Sequence, residues 1–159
     1  MNRTLFAAAL LAASTFAPPA PGQPIQREGW VVVETEHDFA TLNERLDAAV
    51  KSAGMGLVNQ ASASAGARAQ GIDIPGNRVV GVFRNDFARR MLSASLAAGI
   101  EAPIRFYVTE DADGTATLSY RTPSAVFRPY ADEGGPALAD LASELDVVFR
   151  AIADDAAGR

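Results

Sequence analysis

Between Pro103 and Pro123 the sequence takes on a period of two. Ile104, Phe106 and Val108 alternate with Arg105, Tyr107 and Thr109, the turn residues Asp111-Ala112-Asp113-Gly114 follow, and Ala116, Leu118 and Tyr120 then alternate with Thr115, Thr117, Ser119 and Arg121. Successive strand residues point to opposite sides of a sheet, so alternation on both sides of a Gly-containing turn specifies an antiparallel hairpin with one core face and one wet face. Two strands cannot bury an apolar face alone, and the rest of the chain must supply more strands and a layer of helices.

The remaining segments supply both. Trp30 to Glu34 is a short β-rich run. Asp38 is placed to cap a helix on which Phe39, Leu42, Leu46, Ala49, Val50 and Ala53 recur at helical spacing before Gly54. Gly56 to Ala61 predicts a second strand, Ser62 to Gln70 a short alanine-rich helix, and Arg78 to Phe83 a third strand after the Pro75-Gly76-Asn77 turn. Asp86 is expected to cap a second long helix, with Phe87, Met91, Leu92, Ser95, Leu96 and Ala98 on its buried side. After the Glu133-Gly134-Gly135-Pro136 break, Pro136 suits the first position of a last helix with a stripe of Leu138, Leu141, Leu145, Val148, Phe149 and Ile152. The order β-α-β-(α)-β-α-β-β-α predicts an α/β (α+β) two-layer sandwich. Its sheet has about five strands and is mixed, the hairpin antiparallel and the helix-linked strands free to run parallel.

The first 22 residues read differently. Arg3 precedes the apolar run Leu5 to Phe16, and Ala17-Pro18-Pro19-Ala20-Pro21-Gly22 follows. The run is shorter than the roughly 20 residues of a membrane-spanning helix, and its flanks match a secretory signal peptide. We expect a signal peptide over 1–22 cut after Gly22, an irregular leader over 23–29, one domain over 30–156 and a tail over 157–159. The expected location is periplasmic or extracellular, with no membrane span after cleavage. A chain beginning at Gln23 loses Arg3, and its 13 basic and 19 acidic side chains give a net charge of −6, against −5 for the whole.

Composition narrows the chemistry. An acidic balance disfavours a nucleic-acid partner, because phosphate binding needs clustered positive charge. The chain has no cysteine and one histidine, which excludes disulfides, thiolate or multi-histidine metal sites and iron–sulfur clusters. No metal and no cofactor are expected. His37 sits in a Glu36-His37-Asp38 turn, and a solvated helix-entry role suits it better than a dyad with Ser62 or Ser64. Ser62-Ala63-Ser64-Ala65-Gly66 lacks the first glycine of a nucleophile elbow. The Asp111 to Gly114 turn lacks the distal Glu of a calcium loop.

Two positions remain as candidates for ligand contact. Arg84 and Asn85 join a buried strand to a helix start, where free backbone N–H groups can meet an anion. Arg105, Tyr107, Ser119 and Arg121 share the polar face of the hairpin, and two arginines beside a tyrosine suit a carboxylate or phosphate, a subunit interface or plain solvent.

In this order the segments resemble a known family. Asp38-Phe39-Ala40-Thr41 with Leu46 resembles its first-helix pattern, Gly54 to Val58 its helix stop and second strand, and Phe83-Arg84-Asn85 its Phe-Gly-Asn segment, with Arg84 for the glycine and Asp86 for a following proline. Ala102-Pro103-Ile104-Arg105-Phe106-Tyr107-Val108, Glu110-Asp111, Asp113-Gly114, Ser119-Tyr120 and Pro123 resemble its C-terminal hairpin. The family is the bacterial and archaeal domain of unknown function 302, and the likeness runs from about Trp30 to Tyr130. It implies a compact α/β domain that pairs as a homodimer, and it names no activity. Ala61-Ser62-Ala63 stands where that family often has a histidine, so no role tied to that histidine carries over.

The expectation is an exported, non-enzymatic module that binds a small molecule or a protein, with Arg84, Asn85, Arg105, Tyr107 and Arg121 as candidate contacts and no catalytic residue assigned. The alternative is a hydrolase or isomerase whose carboxylates and arginines are brought together by folding.

Overall fold

The computed structural model describes residues 24–159; the expected signal peptide lies outside them. The elements are β1 (Trp30–Asp38), α1 (Phe39–Ser52), β2 (Gly56–Ala61), α2 (Ala63–Arg68), β3 (Asn77–Phe83), α3 (Asn85–Ala94), β4 (Ile104–Glu110), β5 (Thr115–Arg121), α4 (Pro123–Phe127) and α5 (Ala131–Ala157). Short 3₁₀ turns cover Ala97–Glu101 and Arg128–Tyr130. The five strands form one sheet in the order β1-β5-β4-β3-β2, with helices packed on it, which is the expected α+β sandwich.

Strand direction is where the structure departs from expectation. Every neighbouring pair is antiparallel. β1 and β2, linked by α1, do point the same way, but they lie at opposite edges and share no ladder. β3 and β4 are neighbours although a helix joins them. α3 and the 3₁₀ turn return the chain to the end of β3, so Ile104 at the start of β4 faces Val82 near the end of β3. A connection that returns to the end it left produces an antiparallel pair, not a crossover.

The core lies between the helices and one sheet face. Val33, Val80, Val82, Phe106, Val108, Leu118 and Tyr120 from the strands meet Leu42, Leu46, Val50, Phe87, Met91, Leu138, Leu141, Leu145 and Phe149 from the helices. Phe106 stacks on Phe149 at 4.8 Å between centroids and meets Tyr120 edge-on at 5.1 Å, which ties β4 and β5 to α5. Asp38 caps α1 by accepting from Thr41 N at 2.7 Å. Arg78 reaches from β3 into the helix layer, donating to both Asp47 carboxylate oxygens at 2.9 and 3.1 Å and to Asn43 Oδ1 at 3.1 Å. Arg45 on α1 donates to the Ala156 and Asp155 carbonyls at 2.7 Å each, satisfying the end of α5.

Two helix expectations change. α3 starts earlier than Asp86: Arg84 occupies the cap position without a side-chain cap bond, and Asp86 sits in the first turn. Asp86 is drawn instead into a two-point pair with Arg84, Nε–Oδ1 2.7 Å and Nη2–Oδ2 3.0 Å. Leu92 and Leu96 are not core residues. Leu92 lies on the outer side of α3, and the helix ends at Ala94, so the helical spacing does not continue through Leu96; the 3₁₀ turn buries Ala98 and leaves Leu96 78% and Ile100 81% exposed. α5 is broken where the sequence predicts: Gly135 has φ 53° and ψ −152°, and the continuous apolar stripe begins after Pro136.

Candidate functional site

The register of the sheet arranges its polar face in rows that run across the strands. In one row Trp30 of β1 faces Arg121 of β5, Arg105 of β4 faces Gly81 of β3, and Gly81 faces Asn59 of β2. Phe106 pairs with Tyr120, so Arg105 and Arg121 are the next positions to face each other across the β4–β5 ladder. In the adjacent row stand Val32, Ser119, Tyr107, Val79 and Ala61, and in the third Glu34, Thr117, Thr109 and Asn77.

A cleft of about 480 Å³ lies over the first two rows. Trp30, Arg105, Tyr107, Ser119, Arg121 and Val79 line it, with Ala61, Ala63 and Asn77 on one side and Glu101 and Val126 on the other. Its volume falls within the roughly 300–1,000 Å³ of small-molecule sites. Gly81 has a local role here: a Cβ would overlap Asn59 Oδ1 and lie 2.8 Å from Pro103 Cγ, so only glycine lets those side chains close over the strand.

The polar groups are unevenly satisfied. Arg121 donates to the Ala125 carbonyl at 3.2 Å, and Arg105 is exposed. Among the described residues neither guanidinium forms a salt bridge. Arg27 adds a third cation, its guanidinium 5.7 Å from the Trp30 ring centroid. Glu101 accepts from Tyr130 Oη at 2.9 Å, and that bond holds the Tyr130 phenol above the ordinary tyrosine range. Three buried oxygens have no hydrogen-bond partner among the described residues: Thr109 Oγ1, Asp111 Oδ1 and Ser119 Oγ. Ser119 is 0% exposed. Buried polar atoms ordinarily find a partner, and of these three Ser119 Oγ is the one that belongs to the cleft lining.

Folding therefore brings Arg105, Tyr107, Ser119 and Arg121 together and leaves Arg84 and Asn85 elsewhere. Arg84 is engaged with Asp86, lies over the Phe87 ring at 4.0 Å, and borders a cavity of only about 30 Å³. Arg84 also holds Asp86 below the usual carboxylate range. Asn85 is exposed at the start of α3. Sequence reasoning missed Trp30, Asn77, Val79 and Glu101 as neighbours of the arginines, since their proximity depends on strand order and not on spacing along the chain.

Comparison with known proteins agrees with this architecture. A family model described as domain of unknown function DUF302 matches residues 31–156. A solved structure, the uncharacterized conserved DUF302 protein from Bacillus stearothermophilus, superposes with a TM-score of 0.71 at 22% identity, covering 81% of this chain and 98% of that one, a likeness of fold. Among curated proteins, the chain is 30% identical over 105 residues to the fluoride-specific ion channel FluC 1 of Brucella suis biovar 1, covering 65% of this chain and 41% of that protein. FluC 1 of Brucella abortus biovar 1 matches at 30% identity, covering 65% of this chain and 38% of its own. The chain thus spans about two fifths of the length of these relatives. Among the described residues no helix is long and apolar enough to cross a membrane.

Proposed function

The chain belongs to the domain of unknown function DUF302 family, and from that premise we propose that this member is a non-enzymatic binding module whose small-molecule ligand occupies the cleft on the polar face of the sheet. The observation that carries this reading is the cleft itself. It is large enough for a small molecule, it is lined by aromatic, apolar and cationic side chains and one carboxylate, Glu101, and its floor holds the Ser119 hydroxyl, unpartnered among the described residues. Channel activity belongs to the relatives that bear that name, and we carry none of it over.

A thermal-shift screen of small molecules against the chain starting at Gln23 tests the reading, since a ligand at 100 times its Kd adds about 2.7 kcal/mol to the native state. Ligands that raise the midpoint of the wild type and fail to raise that of an Ala61→Trp variant, whose cleft is filled from its edge, support it. Ligands that stabilise both equally bind elsewhere and refute it.

One observation favours the alternative of a hydrolase or isomerase: Glu101 lines the same cleft as Arg105 and Arg121. Its hydrogen bond from Tyr130 gives it a structural task already. Turnover by wild type that Glu101→Gln abolishes would establish the enzyme reading.

We place the module outside the cytoplasm, as a homodimer. The apolar run before Gly22 supports export, and intact-mass analysis of exported protein is expected to find the first residue at or near Gln23. The exposed Leu92, Leu96 and Ile100 support pairing. Light scattering is expected to give twice the chain mass for wild type and the single mass for Leu96→Glu; a wild-type monomer at high micromolar concentration ends the dimer proposal.

A further inference from the structure

The row that crosses the cleft places two like charges on neighbouring strands. Arg105 and Arg121 face each other on neighbouring strands, where side chains leave the backbone roughly 5 Å apart and like charges repel. Among the described residues no carboxylate bridges them, although acidic residues outnumber basic ones 19 to 14 in the chain. Arg27, beside Trp30, adds to the same sign. Against the two lining arginines the cleft has one carboxylate, Glu101, and that group already accepts the Tyr130 hydroxyl at 2.9 Å. The neutral part of the lining is of another kind: Trp30, Tyr107, Val79, Ala61 and Val126 offer flat and apolar surface.

We propose, building on the cleft as the binding site, that its ligand is an organic oxyanion: a carboxylate or phosphomonoester head on a flat apolar body. The head lies between the Arg105 and Arg121 guanidiniums, each of which presents a planar fork of N–H donors suited to an oxyanion. It neutralises the repulsion between two like charges on neighbouring strands, so the same pair favours the bound state. The apolar body lies over the row of Tyr107 and Val79 toward Ala61. A bare inorganic anion would fill only a small part of about 480 Å³ and would leave that apolar lining uncovered. Trp30, the one tryptophan of the chain, stands next to Arg121 and reports occupancy by its fluorescence.

The experiment titrates the chain starting at Gln23 with 4-phenylbutyrate, with its neutral amide and with 4-phenylbutyl phosphate, following Trp30 emission and checking each by calorimetry. The acid or the phosphate is expected to bind at least about tenfold more tightly than the amide, and Arg105→Gln and Arg121→Gln are each expected to weaken the anion about tenfold while changing the amide little. Whichever anion binds more tightly identifies the head. Arg89→Gln, on α3, is the control and is expected to match wild type. Equal binding of acid, phosphate and amide overturns the oxyanion inference and leaves the cleft reading standing. Binding of none of the three overturns the inference too, and the Ala61→Trp screen then decides the cleft reading by itself. A second measurement guards against misfolded variants: without ligand, Arg105→Gln is expected to melt at or above the wild-type temperature, because it removes the repulsion. A lower melting temperature would make Arg105 a structural residue and sink the proposal.

Discussion

Ser119 and Thr117 are two hydroxyl residues two positions apart on β5, both almost wholly buried, and they differ in one respect. Thr117 Oγ1 donates to Asp111 Oδ2 at 2.7 Å, whereas Ser119 Oγ has no partner among the described residues. A buried hydroxyl that has lost its water without gaining a partner costs stability, and deleting it recovers that cost. Deleting the donor to a buried carboxylate does the reverse. Ser119→Ala is therefore expected to be neutral or up to about 1 kcal/mol more stable in urea unfolding, and Thr117→Val to be about 1–3 kcal/mol less stable. If Ser119→Ala is destabilised as strongly as Thr117→Val, the Ser119 hydroxyl is satisfied by bound water in the free protein. The cleft then loses its one unpartnered floor group.

At the scale of elements, what the sequence made legible was what local pattern encodes. The hairpin alternation placed Arg105, Tyr107, Ser119 and Arg121 on one face, and the Glu133 to Pro136 break located the kink in α5. Strand direction was not legible, because the period of a strand is the same whichever way its neighbour runs. For the same reason nothing in the run Trp30 to Glu34 announces that β1 lies against β5 and brings Trp30 to Arg121. Arg78 reads as a polar start to a buried strand, yet its guanidinium points into the helix layer and clamps α1 through Asp47. Removing that clamp by Arg78→Ala is expected to cost about 1–2 kcal/mol, the upper range for charge-assisted bonds being reduced by the partial exposure of Asp47. Gly135→Ala provides a test of backbone conformation alone. A Cβ there would meet nothing within 4 Å, but φ 53° with ψ −152° is a region essentially restricted to glycine. The expected loss is about 1–3 kcal/mol by denaturant unfolding. A loss near zero would mean that the two segments of α5 can merge without strain, and that the break is set by Pro136 rather than by Gly135.

For the whole molecule, the pattern of charge predicts how stability responds to pH. Four carboxyls are held below their ordinary range: Asp38 by the backbone N–H of Thr41, Asp86 by Arg84, Asp113 by the hydroxyl and N–H of Thr115, and Glu28 by Arg128. A carboxyl whose pKa is lower when folded than when unfolded contributes stability that is fully present above the unfolded value. That contribution is lost as pH falls through the folded one. The acid side of the profile therefore declines below about pH 4. Protonation also strips the acidic excess and leaves the basic side chains, the cleft arginines among them, to repel one another. On the alkaline side, burial raises Tyr120 and the Glu101 contact raises Tyr130. The unfolded chain loses those phenolic protons first, so stability declines above about pH 10. Urea midpoints are expected to be flat between the two limits and to fall outside them. Asp86→Asn should flatten the acid limb, and added salt should weaken the Arg84–Asp86 and Arg128–Glu28 contributions more than the Asp38 cap and the Asp113–Thr115 turn contact, which rest on hydrogen bonds. A midpoint unchanged from pH 7 to pH 3 would mean that these carboxyls have the same proton affinity in the folded and unfolded chains. The caps and pairs at the starts of α1 and α3 would then contribute nothing to folding in solution.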